Sequence, residues 1–273
     1  MKAFTHRTAR RAQHLVTALV VSAALHAQAA RADGVTASQT AIVAVATNFK
    51  PVADQLVTAF EAHSEHRITL AAGSTGKLAA QISSGAPFDL FLSADVTTPS
   101  HLIETGDAVA GSQASYAVGA LLMWAGGAPI TDPVTSLEAA RHIAIANPAL
   151  APYGLAARET LAKLHPSSAG TVWDAKIVTG ENIGQAYALV ATKAADLGFI
   201  AASALPDAGA PEVWPVPAPY HAPIRQDLVL LEHGAQNEAA KAFATWLATP
   251  QAGAIIQASG YALPDAAADQ SAP

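Results

Sequence analysis

The residues with the clearest chemical use are hydroxyl and amide side chains at points where a predicted strand is followed by a predicted helix. Thr47 and Asn48 come directly after the apolar run at 41–46, which is typical of a buried parallel strand. Ser74 and Thr75 stand between two glycines, immediately before a segment whose apolar residues have helical spacing. The first N–H groups of a helix have no partners inside it and carry partial positive charge. These two helix starts therefore predict a site for a small oxyanion that needs no cation.

The second half of the chain offers two further helix starts of the same kind. Tyr153 follows the apolar run at 143–146 and begins a predicted helix, where its hydroxyl lies beside free backbone N–H groups. Ile183 opens another predicted helix after the apolar pair Ile177-Val178. A recurring arrangement of donors at helix starts is explained by chance less well than a single one.

Two other motifs overlap Ser74, and both are incomplete. A phosphate-binding P-loop needs a glycine and a serine or threonine at the positions that Ala71 and Leu78 occupy. Ser74 and Lys77 have the Ser-x-x-Lys spacing of serine acyltransferases that act on β-lactams, with Ser74 as nucleophile and Lys77 as base. No Lys-Thr-Gly or Ser-Asp-Asn motif follows downstream. The ordinary alternative is a helix cap with Lys77 directed to water.

His63 and His66 have a spacing that can place two imidazoles on one face of a helix. The pair falls at a predicted helix end among polar residues, and no third ligand is evident. A solvated helix end is therefore favoured over a metal site.

The first 32 residues have the three parts of a secretory signal peptide. Basic residues such as Lys2 and Arg7 precede an apolar run at 15–25 and the small-residue motif Ala30-Arg31-Ala32. The apolar run is too short for a stable membrane span. The chain has 0 Cys, which excludes a lipid-attached cysteine and disulfide bonds. We expect cleavage after Ala32 and a mature protein that is free in a bacterial periplasm.

Composition and charge restrict the partners of the mature protein. The chain has 273 residues, of which 51% are hydrophobic and 13% charged, enough apolar surface for a large buried core. Five of the 15 Lys and Arg residues lie in 1–32, which leaves 10 basic against 21 acidic residues, a net charge of −11. This balance argues against nucleic acid, because phosphate backbones bind to basic surfaces. An anion site must be local and built from oriented dipoles.

Three segments carry a resemblance to a known family. They are Ala-Val-Ala-Thr-Asn-Phe at 44–49, Leu-Ala-Ala-Gln-Ile at 78–82 and Gly-Ala-Pro-Phe-Asp-Leu-Phe-Leu-Ser-Ala-Asp at 85–95. They resemble the periplasmic molybdate-binding proteins that supply ABC transporters, and the likeness extends over nearly all of the chain after residue 40.

The resemblance implies a protein that is not an enzyme and needs no cofactor. It implies a monomer that captures molybdate, and tungstate as well, and delivers the anion to an inner-membrane ABC permease. Molybdenum would be present only within the bound oxyanion. The main alternative is a carrier of another oxyanion such as sulfate, because hydroxyls and helix starts suit any dianion.

The resemblance also implies the architecture, an α/β fold of the two-lobed type II periplasmic binding proteins. Each lobe is expected to be a mixed, mainly parallel sheet flanked by helices, with the ligand in the cleft between the lobes. The segment 116–124 is predicted to be a strand that leaves the first lobe, and 206–223 a surface excursion before the return. The predicted boundaries are 33–120 and 222–264 for lobe I, 121–221 for lobe II and 265–273 for a disordered tail.

The ligand positions of the family fall on Thr47, Asn48, Ser74 or Thr75, Tyr153 and the backbone amide of Ile183. The family motif aligns with either Ser74 or Thr75, which leaves that choice open. The chain departs from many members at Ala201, where they have a tyrosine. Members with a tyrosine at the position of Tyr153 also carry the Thr-Asn pair, so Tyr153 is expected to supply the missing hydroxyl.

Overall fold

The computed structural model describes residues 38–205 and 213–264. The predicted signal peptide at 1–32 and the predicted tail at 265–273 lie outside these residues. No helix in the described part of the chain is both long and apolar enough to cross a membrane.

Strands and helices alternate along most of the described chain, as the α/β pattern of the sequence predicts. The strands are β1 (Thr40–Ala46), β2 (Arg67–Gly73), β3 (Leu90–Leu92), β4 (Ala114–Gly119), β5 (Leu121–Trp124), β6 (Ile143–Ala146), β7 (Ile177–Gly180), β8 (Leu197–Ala201), β9 (Val213–Pro215) and β10 (Ile224–Leu230). The α-helices are α1 (Lys50–Glu61), α2 (Thr75–Ser83), α3 (Thr97–Glu104), α4 (Pro133–Ala139), α5 (Pro152–Leu164), α6 (Ile183–Ala191), α7 (Glu238–Leu247) and α8 (Pro250–Ala258).

The strands form two five-stranded mixed sheets, each flanked by helices. The first has the order β2-β1-β3-β10-β4, in which β1 is parallel to β2 and β3, and β10 is antiparallel to β3 and β4. The second has the order β7-β6-β8-β5-β9, in which β6 is parallel to β7 and β8, and β5 is antiparallel to β8 and β9. The chain passes to the second sheet between β4 and β5 and returns to the first with β10. This is the two-lobed arrangement that the sequence predicts.

Each sheet has its own apolar core. In the first lobe, the centre of β1 is completely buried, and Phe60 of α1 packs edge-on against Phe243 of α7 with ring centroids 5.2 Å apart. In the second lobe, Met123 of β5 and Phe199 of β8 are fully buried within one cluster that also contains Leu161 of α5. The helices thus cover the sheets with the apolar faces that their sequence periodicity predicts.

Two details of the predicted strand pattern are wrong. The segment 116–124 is not one strand, because the backbone changes sheets at Ala120. Residues before it pair with β10, and residues after it pair with β8 and β9. The predicted surface excursion also contains a strand, β9, which pairs with β5. A strand that ends in a proline is compatible with this position, because β9 is at the edge of its sheet and needs donors on one side only.

The site-bearing turns all follow the carboxyl ends of parallel strands, and the backbone is tightly packed there. Thr47 follows β1, Ser74 follows β2, and the turn after β6 leads into α5. At Gly154, in the first turn of α5, a Cβ atom would overlap the carbonyl oxygen of Ala146 at the end of β6. A glycine is therefore required for α5 to begin this close to its strand.

We predict that Gly154→Ala destabilises the folded protein by about 1–3 kcal/mol, because the added methyl group must push the helix start away from β6. Unfolding in urea at equilibrium measures the change in the free energy of unfolding.

The matched control is Gly253→Ala, which also changes a glycine inside a helix. The added Cβ there would meet only the flexible end of the Leu263 side chain, at 3.2 Å. Alanine is favoured over glycine in a helix by about 1 kcal/mol, so this variant should be at least as stable as the parent. Equal losses in the two variants would contradict the close contact at Gly154.

Candidate functional site

A small cavity lies where the turns of the two sheets meet. The space open to the centre of a water molecule is about 10 Å³, which is room for about one water molecule. All of the lining residues are uncharged: Ala46, Thr47, Asn48, Ser74, Thr75, Ala94, Ala151, Pro152, Tyr153, Asn182 and Ile183. A charged ligand in this cavity would meet only dipoles and hydrogen-bond donors.

Every residue that the sequence predicts for the site lines this cavity. Thr47, Asn48, Ser74 and Thr75 come from the turns after β1 and β2, and Tyr153 and Ile183 come from α5 and α6 in the second lobe. The fold brings together residues more than 100 positions apart in the sequence. The cavity consequently belongs to both lobes, and neither could form it alone.

The Ser74 hydroxyl is the most unusual group in the cavity. Ser74 is the N-cap residue of α2, but its side chain makes no capping hydrogen bond. The side chain is 2% exposed, and its oxygen has no hydrogen-bond partner within the described chain. Buried hydroxyl groups are normally hydrogen-bonded, and leaving one unpaired costs about 1–3 kcal/mol. An unpaired donor that lines a cavity indicates that a ligand is its partner.

Thr75 has a different role from its neighbour. Its Oγ1 accepts a hydrogen bond of 3.2 Å from the backbone N–H of Ala94, in the turn after β3. This bond ties the start of α2 to the neighbouring strand. The Thr75 hydroxyl keeps its own hydrogen, so the choice between Ser74 and Thr75 as ligand stays open.

The start of α6 supplies backbone donors from the second lobe. Asn182 is its N-cap residue and accepts a 3.0 Å hydrogen bond from the backbone N–H of Gln185. The cap leaves the N–H of Ile183, the first helical residue, without a partner inside the helix. Ile183 is 5% exposed and lines the cavity, so its N–H lies beside this space and carries the partial positive charge of the helix terminus.

Tyr153 reaches the boundary between the lobes. Its side chain is 1% exposed, and its hydroxyl accepts a 3.4 Å hydrogen bond from Nε2 of Gln226. The hydroxyl lies against Gly119, where any Cβ atom would overlap it. Burial, and then the nearby Tyr261 hydroxyl, raises the pKa of Tyr153 well above its ordinary value. Tyr153 therefore remains protonated, and able to donate, throughout the neutral pH range.

The Asn48 side chain is engaged within the protein. Its Nδ2 donates to Oε1 of Gln226 at 2.9 Å and to the Tyr261 hydroxyl at 3.1 Å. Asn48 is 6% exposed and lines the cavity.

Sequence reasoning missed the residues that hold this side chain. Gln226 is completely buried, and Tyr116 and Tyr261 are 4% exposed. The available signal was strand alternation, which puts Gln226 on the same face as Ile224 and Leu228, where a buried amide needs hydrogen-bond partners.

Several contacts connect the lobes across the cleft. The N–H of Gly76 donates to the carbonyl of Leu150 at 2.9 Å, and Lys77 forms an ion pair with Glu181 at 2.6 Å. Ser203 Oγ donates to the Asn48 carbonyl at 3.3 Å. The two lobes are thus in direct contact in this structure.

The structure does not support the acyltransferase or metal-site interpretations of the sequence. Lys77 is paired with Glu181 and is neither directed only to water nor free to act as a base for Ser74. His63 is exposed and His66 half-buried, and their ring nitrogens contact backbone groups of Ala59 and Gln39. No group of three metal-ligating side chains occurs among residues 38–205 and 213–264.

The different roles of the two hydroxyls lead to a prediction about stability without ligand. Ser74→Ala should leave the free energy of unfolding unchanged or raise it by about 1 kcal/mol, because it removes a buried donor that has no partner. Thr75→Val should lower it by about 1–3 kcal/mol, because the Ala94 N–H loses its acceptor. Urea unfolding in buffer free of oxyanions measures both changes. A larger loss for Ser74→Ala than for Thr75→Val would show that Ser74 has a partner in the empty protein.

Comparisons with known proteins agree with this geometry. The family model of the bacterial extracellular solute-binding proteins matches residues 41–262. The molybdate-binding protein ModA of Azotobacter vinelandii is 42% identical over 227 residues, which cover 81% of this chain and 89% of that protein. ModA of Rhodobacter capsulatus is 42% identical over 222 residues, covering 81% of this chain and 87% of that protein.

Comparison with solved structures leads to the same family as comparison of sequences. The solved structure of the Azotobacter vinelandii periplasmic molybdate-binding protein matches with a TM-score of 0.76 at 37% identity, covering 82% of this chain and 100% of that one. Sequence and structure lead to the same assignment: the chain belongs to the bacterial extracellular solute-binding proteins and, among these, to the molybdate-binding protein family.

Proposed function

We propose that this protein captures molybdate, and tungstate as well, in the periplasm and delivers it to an ABC permease of the inner membrane. The observation that carries the proposal is the small, uncharged cavity with the buried, unpaired Ser74 hydroxyl. The relatives named above, which are molybdate-binding proteins, support the choice of ligand.

The proposed ligand set is the one that lines the cavity. Ser74 and Tyr153 donate through their hydroxyls, Ile183 through its backbone N–H, and Thr47, Asn48 and Thr75 complete the shell. A hydrogen bond to a charged group contributes about 1.5–3 kcal/mol net. Five or six such bonds supply the roughly 8–12 kcal/mol that micromolar to nanomolar affinity requires, even after the cost of ordering the lobes.

The neutral shell also explains how one dianion is chosen over another. Sulfate has the same charge and shape as molybdate but shorter bonds. Helix termini and hydroxyls fixed by two packed lobes cannot all move inwards to follow the smaller ion. Selectivity then depends on the size of the cavity, because a donor that fails to reach the ligand is left desolvated and unpaired.

We place the lobe boundaries at 33–120 with 222–264 and at 121–221, so that the two chain crossings form a hinge. Ligand binding closes the lobes about this hinge, and the closed form is the one offered to the permease. Residues 1–32 direct export and are removed, which leaves a mature monomer in the periplasm. The chemistry requires no cofactor.

Selectivity is the direct test of the ligand. In calorimetric titrations of the purified mature protein, molybdate and tungstate should bind with similar affinity, because both are large tetrahedral dianions. Sulfate should bind at least about a hundredfold more weakly, a difference of roughly 2.7 kcal/mol, and phosphate serves as a further comparison. Sulfate binding as tight as molybdate binding would refute the assignment to molybdate and favour a carrier of other oxyanions.

Tyr153→Phe tests the hydroxyl that replaces the one absent at Ala201. The change keeps the buried ring and deletes one donor to the anion, so molybdate affinity should fall about tenfold to a hundredfold. Calorimetry gives the affinity, and thermal unfolding without ligand shows whether the variant is folded.

The control is Tyr187→Phe. Tyr187 is half-buried and stacks on Trp124 with ring centroids 5.1 Å apart, outside the cavity. The Tyr187→Phe variant should bind molybdate with the affinity of the parent protein. A Tyr153→Phe variant with parental affinity would mean that Tyr153 only packs between the lobes.

A further inference from the structure

Gln226 lies where the first lobe meets the ligand-bearing part of the second. It is in β10, next to an irregularity in the pairing with β4, and its side chain is completely buried. An amide in such a place has to find partners for both of its ends. The proposed ligand shell described above does not include it.

The two ends of the Gln226 amide face different parts of the site. Its Oε1 accepts the 2.9 Å hydrogen bond from Asn48 Nδ2 and lies 3.2 Å from the Tyr116 hydroxyl. Its Nε2 donates to the Tyr153 hydroxyl at 3.4 Å. Because the oxygen is held by Asn48, the N–H₂ end is directed towards Tyr153.

This orientation fixes the Tyr153 hydroxyl at the boundary between the lobes. Its oxygen accepts from Gln226 Nε2, and the hydroxyl also interacts with that of Tyr261. The Tyr261 hydroxyl in turn donates to the Asn48 carbonyl at 2.9 Å and accepts from Asn48 Nδ2 at 3.1 Å. The Gln226 amide therefore joins two residues that line the cavity, Asn48 and Tyr153.

We infer that Gln226 is a positioning residue of the anion site, whose amide holds Asn48 through its oxygen and the Tyr153 hydroxyl through its N–H₂ group. The inference rests on the proposed function, because it concerns the same cavity and the same ligand. Gln226 itself does not touch the anion in this arrangement.

The groups that the Gln226 side chain faces from the packed elements are neutral hydroxyls. They belong to Tyr116, Tyr153 and Tyr261, and burial raises the pKa of each. On its own strand, the Asp227 carboxylate accepts from Ser115 at 2.6 Å and from Gln113 at 2.7 Å. Arg225 donates to the same Ser115 hydroxyl at 3.1 Å.

The decisive variant is Gln226→Glu, titrated with molybdate from about pH 8 down to pH 5.5. A glutamate has an ordinary pKa near 4.3, and burial raises it. When ionised, it can no longer donate to the Tyr153 hydroxyl, and its negative charge repels the anion. We expect at least about a hundredfold weaker binding than in the parent at the upper pH.

When the glutamate is protonated, its carbonyl and O–H reproduce the acceptor and donor of the amide. Affinity should therefore return towards that of the parent as the pH falls. The parent protein over the same pH range corrects for protonation of the anion itself. A residue that only supports the fold would give a loss that does not depend on pH.

Gln226→Met gives a second measurement without introducing a charge. It also tests the inference if Gln226→Glu does not fold. It keeps the approximate shape and removes both hydrogen bonds, so molybdate affinity should fall about tenfold at every pH. Added to Tyr153→Phe, it should cost less than it does alone, because one of the two groups that Gln226 holds is already gone. Additive losses would overturn the coupling.

Gln257→Glu is the matched control, because Gln257 is exposed on α8. It should bind as the parent does. If the parent fails to bind molybdate, the proposed function is wrong. If the parent binds and Gln226→Met binds equally well, or Gln226→Glu loses the same factor at every pH, the inference about Gln226 is wrong and the proposed function stands.

Discussion

The structure depends on one constraint: a buried, uncharged cavity is lined by donors whose partners the protein does not provide. Unpaired polar groups in a dry interior are costly, so such an arrangement persists only when the surrounding packing enforces it. Two parallel-stranded regions enforce it here, because the carboxyl ends of their strands face a common cleft. The helices that follow these strands begin at the cleft, and their termini aim partial positive charge into it. The sheets, the close contact at Gly154 of α5 and the apolar cores all hold these helix starts in fixed positions around the cleft.

The cavity is neutral while the protein as a whole is acidic. With 21 acidic residues in the chain, long-range attraction cannot bring an anion to the cleft. Affinity and selectivity must both come from short-range hydrogen bonds of fixed geometry. Fixed neutral donors discriminate between ligands of different size, because they cannot move to reach a smaller ion. A flexible lysine or arginine side chain can follow a smaller ion and therefore discriminates less. The use of rigid, uncharged donors thus accounts both for the neutral lining of the cavity and for discrimination by ligand size.

The parts of the site that sequence could predict are those marked by local patterns. Ser74, Thr75 and Ile183 stand at helix starts, which leave a signature within a few residues, and all of them line the cavity. Gln226 and Tyr261 were missed because their contacts with Asn48 join residues 178 and 213 positions apart.

The same distinction applies to the fold. Long helices such as α7 are predicted correctly from periodicity. The short strand β9 and the break at Ala120 depend on pairing with β5 and β8, which no local pattern records.

The single residue between β4 and β5 restricts how the lobes can move relative to each other. One residue contributes only two soft backbone torsions, so the lobes can rotate about this crossing but have little freedom to slide apart. The Tyr153 hydroxyl lies against Gly119, next to the crossing, and is therefore near the axis of such a rotation. In the hinge motion proposed above, the start of α6 with Ile183 would have to move towards the helix starts of the first lobe. A cleft built in this way would have its tyrosine in place before it closes and would bring up the amide of Ile183 last, which gives ligand capture an order in time.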